Sequence, residues 1–356
     1  MNKTWRVAGI NFDHFHMGDL LRMVFDHPGA QIVGIADEKP ERMADAARNF
    51  GIGGDAIFTD YRECTERTQP DVVILCPSTA GHAEVAGEGR ALRLPHPHGK
   101  AIRREPRRRR PDDRGDGGGR TAARHQLVAP LVSEPRDRLP ARPREPSARS
   151  AGPLLRRQRE SLWHGADKIE MEPTPERKAE SWFYKKAEGG GSLLDYLGYG
   201  TTLATWYLGV SRHRRHGDHR IGADGLEVDE HCIAAARYRF GMSKFETRWG
   251  TFTDPWTHQP QPKCGFVLKG TGGTLSSYDM EPSVRLQTRE KPEGFEVPSD
   301  TLTGADADPI AYFLGCLERG EPVGGPLCTE ISRIGQQIVD TAVLSAASGK
   351  VMPLVE

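Results

Sequence analysis

The chain has 356 residues, enough for two domains that each bury a core of their own. Basic and acidic side chains balance at 49 each, so net charge does not favour a nucleic acid or a membrane surface as a partner. No apolar run approaches the roughly 20 residues of a membrane span. The six cysteines are scattered without a CxxC pair, which fits free thiols rather than disulfides or a metal site, and we expect a cytoplasmic protein.

The N-terminal region alternates predicted strands and helices. Apolar runs predict buried strands at Trp5–Ile10, Ala30–Ala36 and Val72–Cys76, and helical patterns fall at Leu20–Phe25 and Pro40–Asn49. This order and spacing predict parallel βαβ units, and therefore an α/β fold with a doubly wound parallel sheet.

The loop after the first strand is the expected pyrophosphate site in such a sheet. Its usual fingerprint is GxGxxG, but here only the first glycine, Gly9, is present. Asn11 replaces the second glycine, and asparagine tolerates a positive φ better than most residues. We expect Gly9, Asn11, Phe12 and His14 to bind the cofactor, although His14 and His16 also fit solvated positions at a helix start.

Asp37 ends the second predicted strand. A carboxylate at this position can accept hydrogen bonds from both hydroxyls of the adenosine ribose and would repel a 2′-phosphate, which favours NAD. An N-cap for the helix that starts at Pro40 is an equally good interpretation. Lys39 and Arg42 lie close enough in sequence to leave NADP as an alternative.

Three segments resemble the glucose–fructose oxidoreductase/inositol dehydrogenase (Gfo/Idh/MocA) family. They are GIADEKPERMADAARNFGI, DVVILCPSTAGHAEVA and GGGSLLDYLGYG. The resemblance implies a Rossmann domain, at about 1–125, followed by a substrate-binding domain, at about 126–356. The second domain would carry a large, open, mostly antiparallel sheet. Subunits would associate through this sheet into a homodimer or homotetramer.

The resemblance also implies residues on the nicotinamide side of the cofactor. These would be Pro77, Ser78 and His82, with Cys76 beside them. The family then expects a strand that ends in Glu-Lys-Pro, whose lysine supports hydride and proton transfer. The written sequence does not contain this motif.

Residues 87–160 have an unusual composition, with 19 arginines, one lysine and no Phe, Trp or Tyr. A basic disordered insert that binds nucleic acid and a relative that has lost its catalytic strand are two explanations. A frameshift is the third: with suitable synonymous codons for His98–Arg103, reading one base later gives MEKPF. We favour a frameshift that opens near Ala86–Gly87 and closes near Ser161, which places the motif lysine on Lys100.

Gly189–Trp206 carries the strongest candidate for chemistry in the second half. Three consecutive glycines suit a tight turn, and Ser192 is a suitable N-cap for the helix that follows. Asp195 and Tyr199 are spaced i, i+4, so they share one helix face and form a plausible proton-transfer pair. The alternative is that Asp195 merely favours the helix N-terminus and that Tyr199 is a half-buried core residue.

The resemblance assigns roles to this pair. The common family pattern is DxGxH; Asp195 matches it, whereas Tyr199 occupies the histidine position, as in the branches that use tyrosine as the acid/base. Tyr199 would then exchange the proton of the reacting hydroxyl, Asp195 would orient the substrate, and Lys100 would assist. A nearby ammonium group lowers the pKa of a phenol, which makes such a tyrosine usable near neutral pH.

Aromatic and polar residues around the glycine turn suit a sugar ring, which has an apolar face and a rim of hydroxyls. We expect Trp163, His164 and Trp182 on loops that flank the turn, and Trp256 and His258 on a loop that closes over the substrate. Core, interface and turn positions are the alternatives.

The remaining elements follow the family's C-terminal end. Strands are predicted at Ile233–Phe240, Lys244–Trp249 and Gly265–Lys269, helices at Pro309–Glu318 and Ile331–Ala346, and a closing strand at Val351–Val355.

The sequence therefore predicts an NAD(P)-dependent oxidoreductase that acts on a sugar, a sugar derivative or a polyol, without a metal. An NAD-using glycosidase or epimerase of the same family is one alternative. A non-catalytic dinucleotide-binding regulator is the alternative from another class.

Overall fold

A computed structural model describes residues 3–81, 148–150, 160–164, 167–171, 175–209, 218–221, 226–238, 241–248, 263–279 and 281–355. The chain forms two compact units. The domain boundary predicted near residue 125 lies outside the described residues and stays a prediction.

The N-terminal unit contains a parallel sheet with helices between its strands. Its elements are β1 (Trp5–Phe12), α1 (His16–Asp26), β2 (Ala30–Ala36), α2 (Ala44–Asn49), β3 (Ile57–Phe58), α3 (Tyr61–Thr68) and β4 (Val72–Cys76). A 3₁₀ turn, Pro40–Met43, leads directly into α2. The strand order is β3-β2-β1-β4, with parallel pairing throughout, which confirms the predicted Rossmann-like sheet.

Close packing between the strands and helices explains why this sequence forms the sheet. Most of β1 is buried. A Cβ at Gly9 would lie 2.9 Å from the Met17 sulfur, so glycine lets α1 pack directly on β1. The next strand along the chain, β2, pairs with one edge of β1, whereas β4 pairs with the other edge of β1. The carboxyl ends of β1 and β4 therefore form a topological switch point, where open α/β sheets bind ligands.

The rest of the described chain combines helices with antiparallel strands. Its helices are α4 (Pro175–Glu180), α5 (Ser192–Leu208), α6 (Pro309–Arg319) and α7 (Thr329–Ser348). Its strands are β5 (Ala148–Ser150), β6 (Glu160–His164), β7 (Asp167–Met171), β8 (Asp218–Ile221), β9 (His231–Tyr238), β10 (Gly241–Arg248), β11 (Gly265–Gly270), β12 (Gly273–Tyr278), β13 (Ser283–Thr288) and β14 (Phe295–Pro298).

Two antiparallel sheets lie in the C-terminal unit. One has the order β10-β9-β8, and the other has the order β14-β13-β12-β11-β5. Strands overlap the three predicted at Ile233–Phe240, Lys244–Trp249 and Gly265–Lys269, and the two C-terminal helices are present, with ends that differ by a few residues. An α/β fold with an antiparallel C-terminal sheet domain is therefore confirmed.

Helix α5 lies at the centre of the C-terminal core. Leu193 and Leu197 are fully buried in a cluster with residues of α7, β9 and β10. A Cβ at Gly335 would lie 2.4 Å from the Thr202 Oγ1, so α7 crosses α5 with almost no space between them. The Thr201 hydroxyl also donates to the Gly335 carbonyl at 3.0 Å, which fixes the position of α5.

Two predictions of local structure were wrong. Residues 351–355 do not form a strand, because Pro353 has no N–H to donate and side chains of α7 bind the segment instead. Gln337 donates to the Val355 carbonyl at 2.8 Å, and the Val355 N–H donates to Thr341 Oγ1 at 3.0 Å. Trp163 and His164 were expected on a loop, but both lie in strand β6.

Candidate functional site

The carboxyl end of β1 keeps one left-handed residue in spite of the missing glycines. Asn11 has a φ of +63°, so it adopts the left-handed conformation that a glycine would otherwise supply. The His14 N–H donates to the Cys76 carbonyl at 3.1 Å, which joins the β1–α1 loop to the end of β4. The sequence therefore predicted correctly which residue would replace the glycine.

The two histidines at the start of α1 are buried rather than solvated. Their rings stack with centroids 4.4 Å apart, and the His16 N–H donates to Nδ1 of His14 at 3.2 Å. The acceptor role of Nδ1 puts the proton of a neutral His14 on Nε2, which is then a hydrogen-bond donor. No side chain caps α1 at its N-cap residue, Phe15.

Asp37 braces the end of β1 from the neighbouring strand. Its Oδ2 accepts the Phe12 N–H at 2.6 Å, and its Oδ1 accepts the Lys39 N–H at 2.8 Å. The carboxylate is only 1% exposed. Asp37 is not the N-cap of the Pro40 turn, because that position is held by Lys39.

Asp13, which the sequence analysis did not single out, links the loops at the ends of three strands. Its Oδ2 accepts the Ser78 N–H at 3.0 Å, and its Oδ1 accepts a hydrogen bond from the Arg42 guanidinium. Its partners lie 29 and 65 residues away along the chain. No local sequence pattern could reveal this role.

Two polar atoms at this edge of the sheet are buried and have no hydrogen-bond partner among the described residues. They are Asn11 Oδ1 and Thr79 Oγ1. Buried polar groups normally find a partner, so a ligand that supplies one fits this edge. Cys76 and Pro77 are buried beside it, and burial raises the pKa of the Cys76 thiol, which keeps it uncharged.

The glycine turn before α5 requires all three of its glycines, two for their backbone conformation and one for space. Gly189 has a φ of +79°, and Gly191 has a φ of +107°. Gly190 is needed for space, since a Cβ there would lie 2.3 Å from the Phe183 carbonyl oxygen. The positive φ angles and the close contact with Phe183 are features of the folded chain itself, so the three glycines do not by themselves indicate a ligand.

A distant carboxylate caps helix α5, and the N-cap role predicted for Ser192 was wrong. The N-cap residue is Gly191, and Oδ2 of Asp229 accepts the Leu193 N–H at 2.9 Å. The Ser192 hydroxyl donates to the same oxygen at 2.7 Å and lies 3.2 Å from the Thr247 hydroxyl. Asp229 is separated from Ser192 by 37 positions, so sequence reasoning missed it.

Asp195 and Tyr199 both lie on α5, in its first and second turns, and both are buried. Asp195 benefits from the positive end of the helix dipole. Trp182 is also buried, and its ring stacks on Phe183 with centroids 4.0 Å apart, so it packs against a neighbour.

The remaining predicted site residues cannot be placed in a site. His82, Lys100, Trp256 and His258 lie outside the described residues, as does most of the 87–160 segment. Within the described parts of the chain, no three His, Cys, Asp or Glu side chains are grouped to hold a metal ion. Over the same residues, no helix combines the length and the apolar character that membrane crossing requires.

Comparisons with known proteins identify the fold. No protein-family model and no curated protein sequence matches the chain. Among solved structures, an oxidoreductase from Agrobacterium radiobacter, in complex with NAD+, L-tartaric acid and magnesium, is similar at a TM-score of 0.67, with 14% identity and 99% of each chain covered.

Two further structures give the same result. KijD10, a 3-ketoreductase from Actinomadura kijaniata in complex with NADP and TDP-benzene, is 16% identical at a TM-score of 0.65, over 96% of this chain and 98% of its own. A myo-inositol 2-dehydrogenase from Lactobacillus plantarum is 12% identical at a TM-score of 0.62, over 99% of this chain and 100% of its own.

The class that these structures define is a Rossmann-type domain joined to an antiparallel sheet domain. The chain has the fold of the Gfo/Idh/MocA-type oxidoreductases, and the resemblance noted in the sequence is confirmed at this level.

Proposed function

We propose that the protein is an NAD(P)-dependent oxidoreductase that transfers a hydride between the nicotinamide and a CH–OH carbon of a sugar, a sugar derivative or a polyol. The observation that carries the proposal is the edge of the parallel sheet at β1 and β4. Asn11 adopts a left-handed backbone there, and two buried polar atoms, Asn11 Oδ1 and Thr79 Oγ1, have no partner among the described residues.

The residues at this edge fit a dinucleotide. The positive end of the α1 dipole suits a pyrophosphate, because helix N-termini attract anions; the N–H groups of His16, Met17 and Gly18 themselves already donate to acceptors in the loop. Nε2 of His14 would add a donor to a phosphate oxygen. Thr79 would offer its hydroxyl on the β4 side of the same edge.

The fold supports the same class of reaction. The similar structures from Agrobacterium radiobacter and Actinomadura kijaniata contain NAD+ and NADP, and the Lactobacillus plantarum protein is a dehydrogenase of a polyol. These ligands and activities belong to those proteins. They make a nicotinamide cofactor and a hydroxylated substrate the first candidates for this chain.

The proposed chemistry assigns a role to each candidate residue. A bound nicotinamide would accept the hydride from the carbon that carries the reacting hydroxyl. Tyr199 would take the hydroxyl proton as the carbonyl forms, and Asp195 would orient the substrate by accepting a hydrogen bond. Lys100, in the shifted reading frame, would hold a positive charge near Tyr199.

The test offers the protein NAD or NADP together with each member of a panel of sugars and polyols. Reduction of the cofactor is monitored through the absorbance of the reduced nicotinamide. Peptide mass mapping of the purified protein comes first. A peptide that contains MEKPF confirms the frameshift, whereas peptides with the written arginine-rich sequence rule it out.

Tyr199→Phe should lower kcat by about 10²- to 10⁴-fold, because only the acid/base hydroxyl is lost, and should leave the Kd of NAD unchanged. Tyr196→Phe is the matched control, since Tyr196 is also a buried tyrosine of α5, and it should retain activity. Full activity of Tyr199→Phe would refute the assignment. Binding of NAD without reduction by any compound of the panel would favour the regulator.

A further inference from the structure

The charged groups at the carboxyl ends of β1 and β2 form a cluster of three side chains, Asp13, Arg42 and Asp37. The Arg42 guanidinium donates to Oδ1 of Asp13 and lies 3.8 Å from Oδ1 of Asp37. The side chains of Asp13 and Arg42 are 20% and 33% exposed, respectively. Two carboxylates therefore share one guanidinium, and the cluster keeps a net negative charge when all three groups are ionised.

Asp13 is held in place by the protein rather than by Arg42 alone. Its second oxygen accepts the Ser78 N–H at 3.0 Å, so the carboxylate is fixed from the β4 side. Asp37 is fixed in the same way, by the N–H groups of Phe12 and Lys39. Arg42 is the member with exposed surface and a long side chain, and these two rigid carboxylates determine where its guanidinium lies.

Arginine is the usual partner of the 2′-phosphate that distinguishes NADP from NAD, because its planar fork binds phosphate oxygens in pairs. Here the guanidinium already pairs with Asp13. To bind a 2′-phosphate it would have to leave that carboxylate, and the phosphate would approach two negative groups.

We propose that Asp13 is a positioning residue that sets cofactor choice: by holding Arg42 in an ion pair, it makes the site select NAD over NADP. This inference rests on the proposed dinucleotide-binding function. The role differs from the one expected for Asp37, which is to accept hydrogen bonds from the adenosine ribose. Asp13, in the β1–α1 loop, would instead discriminate against NADP by keeping the Arg42 guanidinium in an ion pair.

The test is isothermal titration calorimetry of the full chain with NAD and with NADP. The wild-type protein should bind NAD more tightly. Asp13→Asn keeps the size of the side chain and an oxygen for the Ser78 N–H but removes the charge that holds Arg42. Its NADP affinity relative to NAD should rise by about tenfold, the change expected for one released arginine–phosphate contact.

Three further variants test whether the release of Arg42 causes the gain in NADP affinity. Adding Arg42→Gln to Asp13→Asn should abolish the gain in NADP affinity. Arg42→Lys alone, which keeps the positive charge but removes the planar fork, should change the NADP/NAD affinity ratio by less than about twofold, because the wild-type arginine is already occupied. Asp45→Asn, which breaks the exposed Arg48–Asp45 pair of α2, is the matched control and should leave the ratio unchanged.

The outcomes distinguish a failure of this inference from a failure of the proposed dinucleotide-binding function. A wild-type protein that binds neither dinucleotide refutes the proposed function. A wild type that binds NAD, with an unchanged ratio in a folded Asp13→Asn, refutes the role of Asp13 and leaves the function standing. If Asp13→Asn does not fold, Arg42→Lys decides: a large loss of NADP affinity in that variant, which keeps the charge, refutes the sequestration of Arg42.

Discussion

Asp13 and Asp229 perform the same operation in two regions of the molecule, but in different surroundings. Each carboxylate accepts a backbone N–H from a segment far away in sequence, Ser78 for Asp13 and Leu193 for Asp229. Asp229 is 9% exposed and also accepts the Ser192 hydroxyl, whereas Asp13 accepts a hydrogen bond from a partly exposed arginine on its other oxygen. The buried carboxylate should therefore determine stability, and the exposed one should determine what binds.

The largest effect should come from the glycine turn that Asp229 braces. Gly190→Ala places a Cβ 2.3 Å from the Phe183 carbonyl oxygen, and no flexible side chain can move aside, so we expect a loss of about 4 kcal/mol or more in the free energy of unfolding. Chemical denaturation measures it.

Gly209→Ala provides the control for this prediction. Gly209 ends the same helix with a φ of +76°, but a Cβ there meets nothing within 4 Å. Only backbone strain of about 1–3 kcal/mol is expected, because a φ of +76° with a ψ of −172° lies in a region that essentially only glycine adopts. Equal losses for the two variants would mean that the turn before α5 can shift, and the contrast between a rigid and an adjustable region would fail.

An intermediate effect is expected from Asp229 itself. Asp229→Ala leaves the Ser192 hydroxyl and the Leu193 N–H buried without their acceptor, which should cost about 3 kcal/mol of unfolding free energy. Asp229→Asn keeps an oxygen acceptor and should cost about 1 kcal/mol. Urea denaturation of the two variants measures the difference, and a loss below about 1 kcal/mol for Asp229→Ala would contradict the bracing role.

The smallest effect is expected from Asp71, a carboxylate that resembles Asp13 in exposure but lies away from the candidate site. It accepts hydrogen bonds from the Lys3 ammonium at 2.6 Å and from the Arg6 N–H at 3.0 Å. Partial burial acts to raise the pKa of Asp71, but these two hydrogen bonds and the positive charges of Lys3 and Arg6 together outweigh it and hold the pKa below its usual value.

Because the folded pKa of Asp71 is lowered, its contribution to stability is present above the unfolded value of about 3.9 and is lost as the pH falls through the folded value. Asp71→Asn should therefore cost about 1 kcal/mol or less at neutral pH, and the difference from wild type should vanish on acidification. Denaturation curves from pH 7 downwards test this. A cost that grows as the pH falls would contradict it.

The elements that the sequence predicted correctly are those with local signals. Ala30–Ala36 and Val72–Cys76 were placed to the residue, because each apolar run is bounded by residues that break strands. Helix α5 was found from its glycines and its apolar spacing. The cap of α5 was not, since Ser192 is a good capping residue by type and the actual cap, Asp229, arrives from another element.

In the candidate site, too, the sequence indicated only those features that depend on local signals. Asn11 was identified because the conformational preference of asparagine is a property of the residue itself. The importance of Asp13 depends on where Arg42 and Ser78 come together in space, and only the folded parallel sheet determines that. The stacking of Trp182 on Phe183 is a further contact that residue type alone did not predict, and its role towards a sugar stays a prediction.

The Asp13–Arg42 pair has a consequence for how the protein can evolve. Aspartate and asparagine codons differ by a single base, so one point mutation would convert Asp13 to asparagine and release Arg42. If a lineage came to depend on NADP, the cation needed for the 2′-phosphate would already be present and would only have to be set free. On the proposed role of Asp13, a change of cofactor is thus within reach of a single step, without rebuilding the loop proposed to bind the pyrophosphate.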